Sequence, residues 1–203
     1  MSRRWHMERL KDHYYREAKR LGFRSRAAFK LIEIIKKYKV IKEGDVVLDL
    51  GAYPGGWLQV ASKAVGSKGL VVGVDLKPIE KLNLPNVITL VGDVCDQALH
   101  EKLLNVLPRE VDVLLSDLSP SLSGVWSTDI AKHISLIECA LSIASRFLRS
   151  GGTAIIKAFQ SEELNDLVKR LRETFNEVKL FKPRASKAKS REIYLICLGF
   201  KKC

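Results

Sequence analysis

The feature that most constrains the fold is an alternation, from residue 46 onward, between short apolar runs and stretches of helical length. The apolar runs are VVLDLG (46–51), LVVGVDL (70–76), VITLVGD (87–93), VDVLLSD (111–117) and TAIIKAF (153–159). Helices are predicted from near Trp57 and near 96–107, 129–149 and 161–175. Runs that are apolar almost throughout indicate strands buried on both faces of a parallel sheet. The alternation therefore predicts an α/β, doubly wound sheet.

The carboxyl end departs from this rhythm. EVKLFK (177–182) and EIYLICLGF (192–200) flank only PRASKAKSR, which leaves no room for a crossover helix, so we predict an antiparallel pair. The result is a mostly parallel, seven-stranded Rossmann-like sheet with helices on both faces and an antiparallel C-terminal strand. By analogy, this is the arrangement of class I methyltransferases. We expect residues 1–203 to form one methyltransferase domain.

A basic helical segment is predicted before the first strand, over about residues 1–42. One helix covers residues 3–21 and ends at Gly22, and a second begins at Ser25. The apolar stripe of the second helix consists of Ala28, Leu31, Ile32 and Ile35. We expect the aromatic residues Trp5, Tyr14 and Tyr15 to anchor the first helix to the core rather than to stack on bases.

The net charge of +12 is concentrated at the two ends of the chain. Residues 1–42 hold fourteen Lys or Arg against four acids, and residues 179–203 hold eight against one. Residues 43–178 hold thirteen against eighteen. Two basic ends favour a face that binds a polyanion such as RNA. Two solvated basic tails are the simpler alternative.

Membrane insertion, secretion and a structural metal are not predicted. No apolar run approaches the roughly 20 residues that span a bilayer, and the N-terminus carries charges without an apolar core. The cysteines, Cys95, Cys139, Cys197 and Cys203, form no CxxC pair or zinc-ligand cluster. We expect reduced thiols, a cytoplasmic location and a monomer. The histidines, His6, His13, His100 and His133, are expected at the surface.

Glycine and acidic residues follow the first three strands, where open α/β sheets bind ligands. The glycines in the turn DLGAYPGGW (49–57) permit close approach to a ligand. Asp75 ends the second strand, where a carboxylate can accept both hydroxyls of a ribose, and Asp93 ends the third. Together they indicate a nucleoside-bearing cofactor, although a tight turn and helix caps would explain each feature alone. The candidate cofactor-binding residues of the turn are Asp49, Gly51, Pro54, Gly55, Gly56 and Trp57.

Two charged residues interrupt the apolar strands. Asp117 ends VDVLLSD, and Lys157 lies within TAIIKAF. A lysine in a buried strand is costly unless it is paired or functional. A structural salt bridge is one explanation. The position of both residues at the strand ends that face the cofactor favours a catalytic one.

Five motifs occur in order along nearly the whole chain. They are SRAAFKL (25–31), DLGAYPGGW (49–57), SDLSP (116–120), IIKAF (155–159) and SREIY (190–194). The set resembles the motifs of the FtsJ-like (RlmE-type) ribosomal RNA 2′-O-methyltransferases. That resemblance implies a Lys–Asp–Lys–Glu catalytic tetrad at Lys30, Asp117, Lys157 and Glu192. It also implies S-adenosylmethionine as the cofactor, with contacts from Gly55, Trp57, Asp75, Asp93 and Asp117.

The residue types of the tetrad suit methylation of a ribose 2′-hydroxyl, which is a poor nucleophile until its proton is removed. A free lysine, with a pKa of about 10.4, is mostly protonated. Burial or a second cation lowers such a pKa, and a carboxylate raises it. We predict that Lys157 is the base and that Lys30 stabilises the developing alkoxide. Asp117 and Glu192 would orient the two lysines.

Three residues beside the expected pocket depart from the family's pattern. Tyr53 stands where the family more usually has a small residue, and Ser119 and Ser121 stand where it has Ala and Asn. These departures change the lining of the pocket and leave the tetrad intact.

Basic residues lead into two members of the tetrad and suit the phosphates of RNA on either side of the target ribose. They are Arg24 and Arg26 before Lys30, and Arg184, Lys187, Lys189 and Arg191 before Glu192. We expect the substrate to be a uridine of large-subunit ribosomal RNA, within the large ribosomal subunit.

Two other interpretations of the function remain open. Residues 11–31 also resemble methyltransferases of the tRNA anticodon loop. A non-catalytic RNA-binding or ribosome-assembly protein is a third interpretation, but the intact tetrad disfavours it. A nicotinamide dehydrogenase is disfavoured, because the glycine spacing is not GxGxxG and no second substrate domain follows.

Overall fold

In the computed structural model, which describes residues 13–187 and 189–202, the chain forms a mixed seven-stranded sheet with helices packed on both faces. The strands are β1 Val46–Leu50, β2 Leu70–Asp75, β3 Val87–Val91, β4 Val111–Ser116, β5 Leu148–Phe159, β6 Phe175–Phe181 and β7 Glu192–Phe200. The helices described are α1 His13–Arg20, α2 Ala27–Tyr38, α3 Gly56–Val65, α4 Ala98–Val106, α5 Trp126–Phe147 and α6 Leu164–Thr174. The predicted fold class is confirmed.

The order of the strands brings the functional ends of the sheet together. The order is β3-β2-β1-β4-β5-β7-β6, with parallel pairing from β3 to β5. β7 pairs antiparallel with both β5 and β6, which confirms the predicted C-terminal pair. Because β7 runs the other way, its first residue, Glu192, lies opposite Phe159 at the end of β5. The start of β7 therefore shares an edge with the carboxyl ends of the parallel strands.

Two apolar layers bury the central strands. On one face, Leu48 and Leu114 pack with Ile137 and other residues of α4, α5 and α6. On the opposite face, Val47 and Val113 pack with residues of α2 and α3. Successive residues of a strand point to opposite faces, so a strand covered on both sides must be apolar at nearly every position. Coverage on both faces therefore explains why β1 is apolar at nearly every position.

The prediction of burial on both faces is wrong for β3. Ile88 is 36% exposed and Val91 is 50% exposed. β3 is the edge strand of the sheet, and residues 76–86, which connect it to β2, contain no helix. Without a crossover helix at this edge, part of the strand remains open to water.

The segment before β1 follows the prediction where the structure describes it. α1 ends at Arg20, and Gly22 follows with a positive φ of 74°. The ring of Tyr14 lies 5.4 Å from that of Phe29 on α2, so Tyr14 anchors the first helix, as expected. Trp5, His6 and the first part of the predicted helix lie outside the described residues.

A disulfide bond corrects the expectation of reduced thiols. Cys95, in the loop after β3, is bonded to Cys139 on α5 across a sequence separation of 44 residues. No local spacing in the sequence marks this pair, because the two cysteines lie 44 residues apart. Cys197 is free and buried, and burial raises the pKa of its thiol to about 12.

Among the helices within residues 13–187 and 189–202, none is both long and apolar enough to cross a membrane.

Candidate active site

A cavity of about 690 Å³ opens at the carboxyl ends of the parallel strands. It is lined by Gly51, Tyr53, Asp75, Leu76, Lys77, Gly92, Asp93, Val94, Asp117, Leu118, Ser119, Pro120, Ser121, Lys132, Ser135 and Leu136. The lining thus includes four of the predicted cofactor-binding residues, Gly51, Asp75, Asp93 and Asp117. All three positions that depart from the family's pattern, Tyr53, Ser119 and Ser121, also lie in the lining.

The two acidic strand ends are held in place by main-chain N–H groups. Asp75 accepts hydrogen bonds of 2.9 Å from the N–H of Tyr53 and of 2.9 Å from that of Lys77. Asp93 accepts one of 2.9 Å from the N–H of Cys95. These bonds orient both carboxylates at the edge of the cavity.

The glycine turn (residues 51–56) lines the cavity at Gly51 and also allows close packing against neighbouring segments. Gly51 has a φ of +79°, and a Cβ there would lie 3.1 Å from the main-chain nitrogen of Leu118. A Cβ on Gly56 would overlap the side chain of Ser25, at the start of the segment that leads into α2. The nearby Trp57 indole donates a 2.8 Å hydrogen bond to the carbonyl of Ala27.

The later part of the turn therefore attaches α2 to the body of the protein. Pro54, Gly55, Gly56 and Trp57 are absent from the described lining of the cavity. Trp57 is almost completely buried, and its ring lies 5.7 Å from that of Tyr194.

Asp49 lies beneath the cavity, in the interior of the sheet. It is fully buried, and neither carboxyl oxygen has a hydrogen-bond partner among the described residues. Burial, together with the negative charges of Asp117 and Asp75, raises the pKa of Asp49 well above its ordinary value. Asp49 is not part of the described lining.

The four predicted catalytic residues meet in one hydrogen-bonded chain. Lys30, on α2, donates to Glu192 at 2.9 Å and to the hydroxyl of Tyr194 at 3.2 Å. Tyr194 donates to Asp117 Oδ1 at 2.7 Å. Lys157 Nζ donates to the main-chain carbonyl of Asp117 at 2.8 Å and lies 3.3 Å from Oδ1. Lys30 and Lys157 are only 8% and 5% exposed.

Tyr194 is the member of this chain that the sequence analysis missed. It lies opposite Lys157 in the β5–β7 pairing and is fully buried. The signal was present, since Tyr194 ends the quoted motif SREIY. A tyrosine in an apolar strand resembles an ordinary core residue, and only the strand register reveals that its hydroxyl joins Lys30 to Asp117.

Burial and neighbouring charges shift the pKa values of Glu192 and Tyr194. Burial alone would raise the pKa of Glu192, but the charge and hydrogen bond of Lys30 and the charge of Lys157 lower it below its ordinary value. Burial, and then the charge and hydrogen bond of Asp117, raise the pKa of Tyr194 well above its ordinary value. Glu192 is therefore an anion near neutral pH, and Tyr194 keeps its proton.

His133 corrects the prediction that the histidines lie at the surface. It occupies the inner face of α5, and its imidazole stacks on Phe159 with the ring centroids 4.2 Å apart. The Nε2–H donates to the main-chain carbonyl of Lys157 at 3.1 Å. Burial and the charge of Lys157 lower the pKa of His133 to about 4, so the imidazole is neutral and supports the strand that carries Lys157.

The basic residues before Lys30 make contacts within the protein. The guanidinium of Arg24 donates to the carbonyls of Pro54, Glu80 and Lys81 at 3.2, 2.6 and 2.8 Å. Arg26 donates to the carbonyl of Ala185. These two arginines thus brace the loops around the site.

The basic residues before Glu192 are placed differently. Glu33 of α2 accepts hydrogen bonds from the N–H groups of Arg184 and Ala185, at 2.8 and 2.9 Å, and so docks the loop between β6 and β7. The residues Arg184, Lys187, Lys189 and Arg191 of this loop are exposed. We refer to these four residues as the basic loop.

Comparison with known proteins identifies the family. The model of the FtsJ-like methyltransferase family matches residues 23–200. A protein of Methanothermobacter thermautotrophicus, named ribosomal RNA large subunit methyltransferase E, is 46% identical over 201 residues. The match covers 99% of this chain and 95% of the relative. The chain belongs to the FtsJ-like methyltransferase family.

Solved structures agree with the fold of an FtsJ-like methyltransferase. A Plasmodium falciparum protein, described as a candidate ribosomal RNA methyltransferase, is 30% identical with a TM-score of 0.79, over 89% of this chain and 100% of that one. Fibrillarin of Aeropyrum pernix, with natively bound S-adenosylmethionine, gives a TM-score of 0.58 at 19% identity, over 78% of this chain and 68% of that one. The fibrillarin likeness concerns the fold.

The residues of this FtsJ-like methyltransferase fit its cofactor, S-adenosylmethionine. The cavity is large enough for a nucleoside with an attached amino acid. Two fixed carboxylates, Asp75 and Asp93, stand at successive strand ends, as recognition of a nucleoside requires. Asp117 belongs both to the cavity and to the hydrogen-bonded chain of the tetrad.

Proposed function

We propose that this protein methylates the 2′-hydroxyl of a ribose in large-subunit ribosomal RNA, with Lys30, Asp117, Lys157 and Glu192 as the catalytic residues. The observation that carries the proposal is the continuous chain of contacts from Glu192 through Lys30, Tyr194 and Asp117 to Lys157. Asp117 ties this chain to the cofactor cavity. The name of the archaeal relative supports the choice of RNA.

Lys157 acts as the general base. In its neutral form its Nζ would accept the proton of the ribose 2′-hydroxyl and so make that oxygen nucleophilic. S-adenosylmethionine, when bound, supplies a methyl group activated by a sulfonium. Asp117, which lines the cavity, holds Lys157 Nζ through its carbonyl and its carboxylate. Exclusion of water from the 5% exposed lysine strengthens these contacts.

Lys30 supplies positive charge for the oxygen that loses its proton. Its ammonium is held by anionic Glu192 and by the Tyr194 hydroxyl, so it is oriented before the substrate arrives. A fixed cation in a buried site stabilises developing negative charge without reorganising during the reaction. Tyr194 acts as a positioning residue, because it joins Lys30 to Asp117.

The cofactor is held mainly by the acidic strand ends. In this proposal Asp75 accepts hydrogen bonds from the ribose hydroxyls of the cofactor, and Asp93 accepts one from the adenine amino group. Gly51 allows the main chain to pass close to the bound molecule. Pro54, Gly55, Gly56 and Trp57 support this end of the site through their packing against the segment before α2.

Replacing Asp75 by alanine should weaken binding of S-adenosylmethionine by about 10- to 150-fold, because a hydrogen bond to a charged group contributes roughly 1.5–3 kcal/mol. Isothermal titration calorimetry measures the change. Glu101→Ala is the matched control, since Glu101 is an exposed acid on α4 outside the described lining. Equal cofactor affinity in wild type and Asp75→Ala would contradict the assignment.

The basic loop is proposed to bind RNA phosphates beside the target ribose. Its side chains are exposed, its first part is anchored to α2 through Glu33, and its last residue, Arg191, directly precedes Glu192. Arg24 and Arg26 contribute by bracing the surrounding loops, so their effect on RNA binding is expected to be indirect.

RNA affinity should fall steeply with salt, and a variant of the basic loop should show a shallower dependence. Each phosphate contact contributes roughly 0.7 to the slope of log K against log salt for a single strand. Arg184, Lys187 and Lys189 changed together to glutamine should therefore lower the slope by about 2. Fluorescence anisotropy with a labelled oligonucleotide measures it. The same change at exposed Lys63, Lys68 and Lys169 is the control, and an unchanged slope in the basic-loop variant would count against phosphate binding.

The choice of RNA is tested by offering three substrates with cofactor labelled in its methyl group. Assembled large subunits, naked large-subunit RNA and transfer RNA are compared at equal concentration. We expect transfer to large-subunit RNA, within the subunit or naked, and none to transfer RNA. Preferential labelling of transfer RNA would instead favour the anticodon-loop alternative. We further propose that the enzyme acts as a monomer in the cytoplasm.

A further inference from the structure

An exposed aromatic residue stands beside the catalytic tetrad and has no part in the mechanism above. Trp126 is the first residue of α5 and is 41% exposed. It follows directly from the loop whose first residues, Leu118 to Ser121, line the cofactor cavity. Nearby, Leu122 and Val125 are also exposed. So large an indole left open to water is a feature that needs an explanation.

Trp126 is linked to the tetrad through Phe159, at the end of β5, and through Arg191, just before β7. Its ring centroid lies 6.0 Å from that of Phe159, which stands opposite Glu192 in the β5–β7 pairing. The guanidinium carbon of Arg191 lies 4.4 Å from the centroid of the indole. Arg191 immediately precedes Glu192, and Phe159 is two residues beyond Lys157 on the same strand. The pair of Trp126 and Arg191 therefore lies at the edge of the active site.

The surrounding structure holds this pair in a defined position. Asp129 accepts 2.7 Å hydrogen bonds from both the N–H and the hydroxyl of Ser123, which fixes the loop just before Trp126. On the other side, buried His133 stacks on Phe159. The main chain of Arg191 accepts a 2.8 Å hydrogen bond from the N–H of Gln160. A surface prepared in this way loses little conformational entropy when a ligand binds.

We propose that Trp126 and Arg191 form a stacking platform for an unpaired base of the RNA, next to the ribose that is methylated. Aromatic rings and guanidinium planes are the groups on which proteins stack splayed bases. The positive charge of the basic loop favours RNA over an apolar protein segment as the occupant. This inference rests on the proposed function and deepens it, since it identifies how the enzyme holds a single-stranded nucleotide.

The test compares Trp126→Ala with Trp126→Phe, which keeps an aromatic face. Stacking contributes roughly 1–3 kcal/mol per base, so the alanine variant should bind a short single-stranded RNA about 5- to 150-fold more weakly. The phenylalanine variant should stay within about 3-fold of wild type. Leu180→Ala, which removes an exposed apolar side chain from the far strand β6, is the matched control and should bind as wild type does.

Tryptophan fluorescence supplies a second measurement on the unaltered protein. Stacking of a base should quench the emission of Trp126, measured as the difference in quenching between wild type and Trp126→Phe, because that difference cancels any response of Trp5. Trp57 is buried and should not respond. Cofactor affinity is measured for every variant to show that the site is folded. If the alanine variant does not fold, the quenching comparison alone decides.

The outcomes separate this inference from the proposed function. Methylation of RNA by wild type, with equal affinity and methylation in Trp126→Ala and no quenching, overturns the platform and leaves the proposed function standing. Quenched emission and weaker binding in the alanine variant, without methyl transfer to any RNA by wild type, supports the platform and refutes the proposed function.

Discussion

Lys157→Ala is expected to lower the rate of methyl transfer by roughly 10²–10⁴-fold, the usual contribution of a general base. The loss should appear in kcat, because Lys157 is proposed to act on the hydroxyl proton and does not belong to the described cavity lining. Its Nζ is fixed by two contacts to Asp117, so water admitted by the substitution would not reproduce its position. Single-turnover methyl transfer at saturating cofactor and RNA measures the effect.

Two further variants make this result interpretable. Lys157→Met keeps most of the side-chain volume inside β5 and should lose as much activity as alanine, which separates loss of the amine from loss of packing. Lys63→Ala, at an exposed lysine on α3, should retain full activity. Both Lys157 variants should bind S-adenosylmethionine as wild type does. Full methyl transfer by Lys157→Ala would refute its assignment as the base.

Reduction of the bond between Cys95 and Cys139 is expected to produce the largest change in stability. Closing a loop with a sequence separation of 44 residues stabilises the folded state by roughly 4 kcal/mol through the lost entropy of the unfolded chain. For a protein of this size the melting temperature should fall by about 8–16 °C on adding a reductant. Differential scanning fluorimetry with and without the reductant measures the shift.

The matched control for this experiment is Cys95→Ala combined with Cys139→Ala. The double variant should melt at the lower temperature under both conditions, because it has no bond to lose. Cys197 is buried and free, so the reductant should not act through it. Equal melting temperatures for wild type with and without reductant would show that the bond does not stabilise the protein.

The fold was predictable because burial on both faces leaves a direct mark on composition. β1 is apolar at almost every position for that reason, and the short PRASKAKSR connection required an antiparallel return. β3 carries the same pattern although it is the edge strand. Apolar composition alone therefore does not identify which strand the helices leave uncovered.

The residues of the candidate active site could be selected from the sequence for a different reason. Lys157 is a charge in a buried strand, and the motif resemblance implied its three companions. The connecting residue, Tyr194, could not be singled out, because its role depends on the register between β5 and β7. His133 was misplaced at the surface because one polar residue on the inner face of α5 resembles an exposed one until the helix is oriented.

Contacts between distant segments were the least predictable part. Nothing in the sequence shows that the guanidinium of Arg24 donates hydrogen bonds to three main-chain carbonyls and is not free to bind RNA. The bond between Cys95 and Cys139 likewise depends on how the loop after β3 meets α5. Contacts of both kinds depend on the assembled fold and cannot be predicted from the local spacing of residues.

Alkaline hydrolysis of large-subunit ribosomal RNA, after reaction with wild-type enzyme and methyl-labelled cofactor, tests most directly whether the methyl group is transferred to a ribose 2′-oxygen. A 2′-O-methyl group blocks cleavage of the adjacent phosphodiester, so the account predicts that the label is recovered in an alkali-resistant dinucleotide. Recovery of the label in single nucleotides, as methylation of a base would give, or failure to label this RNA would contradict the account.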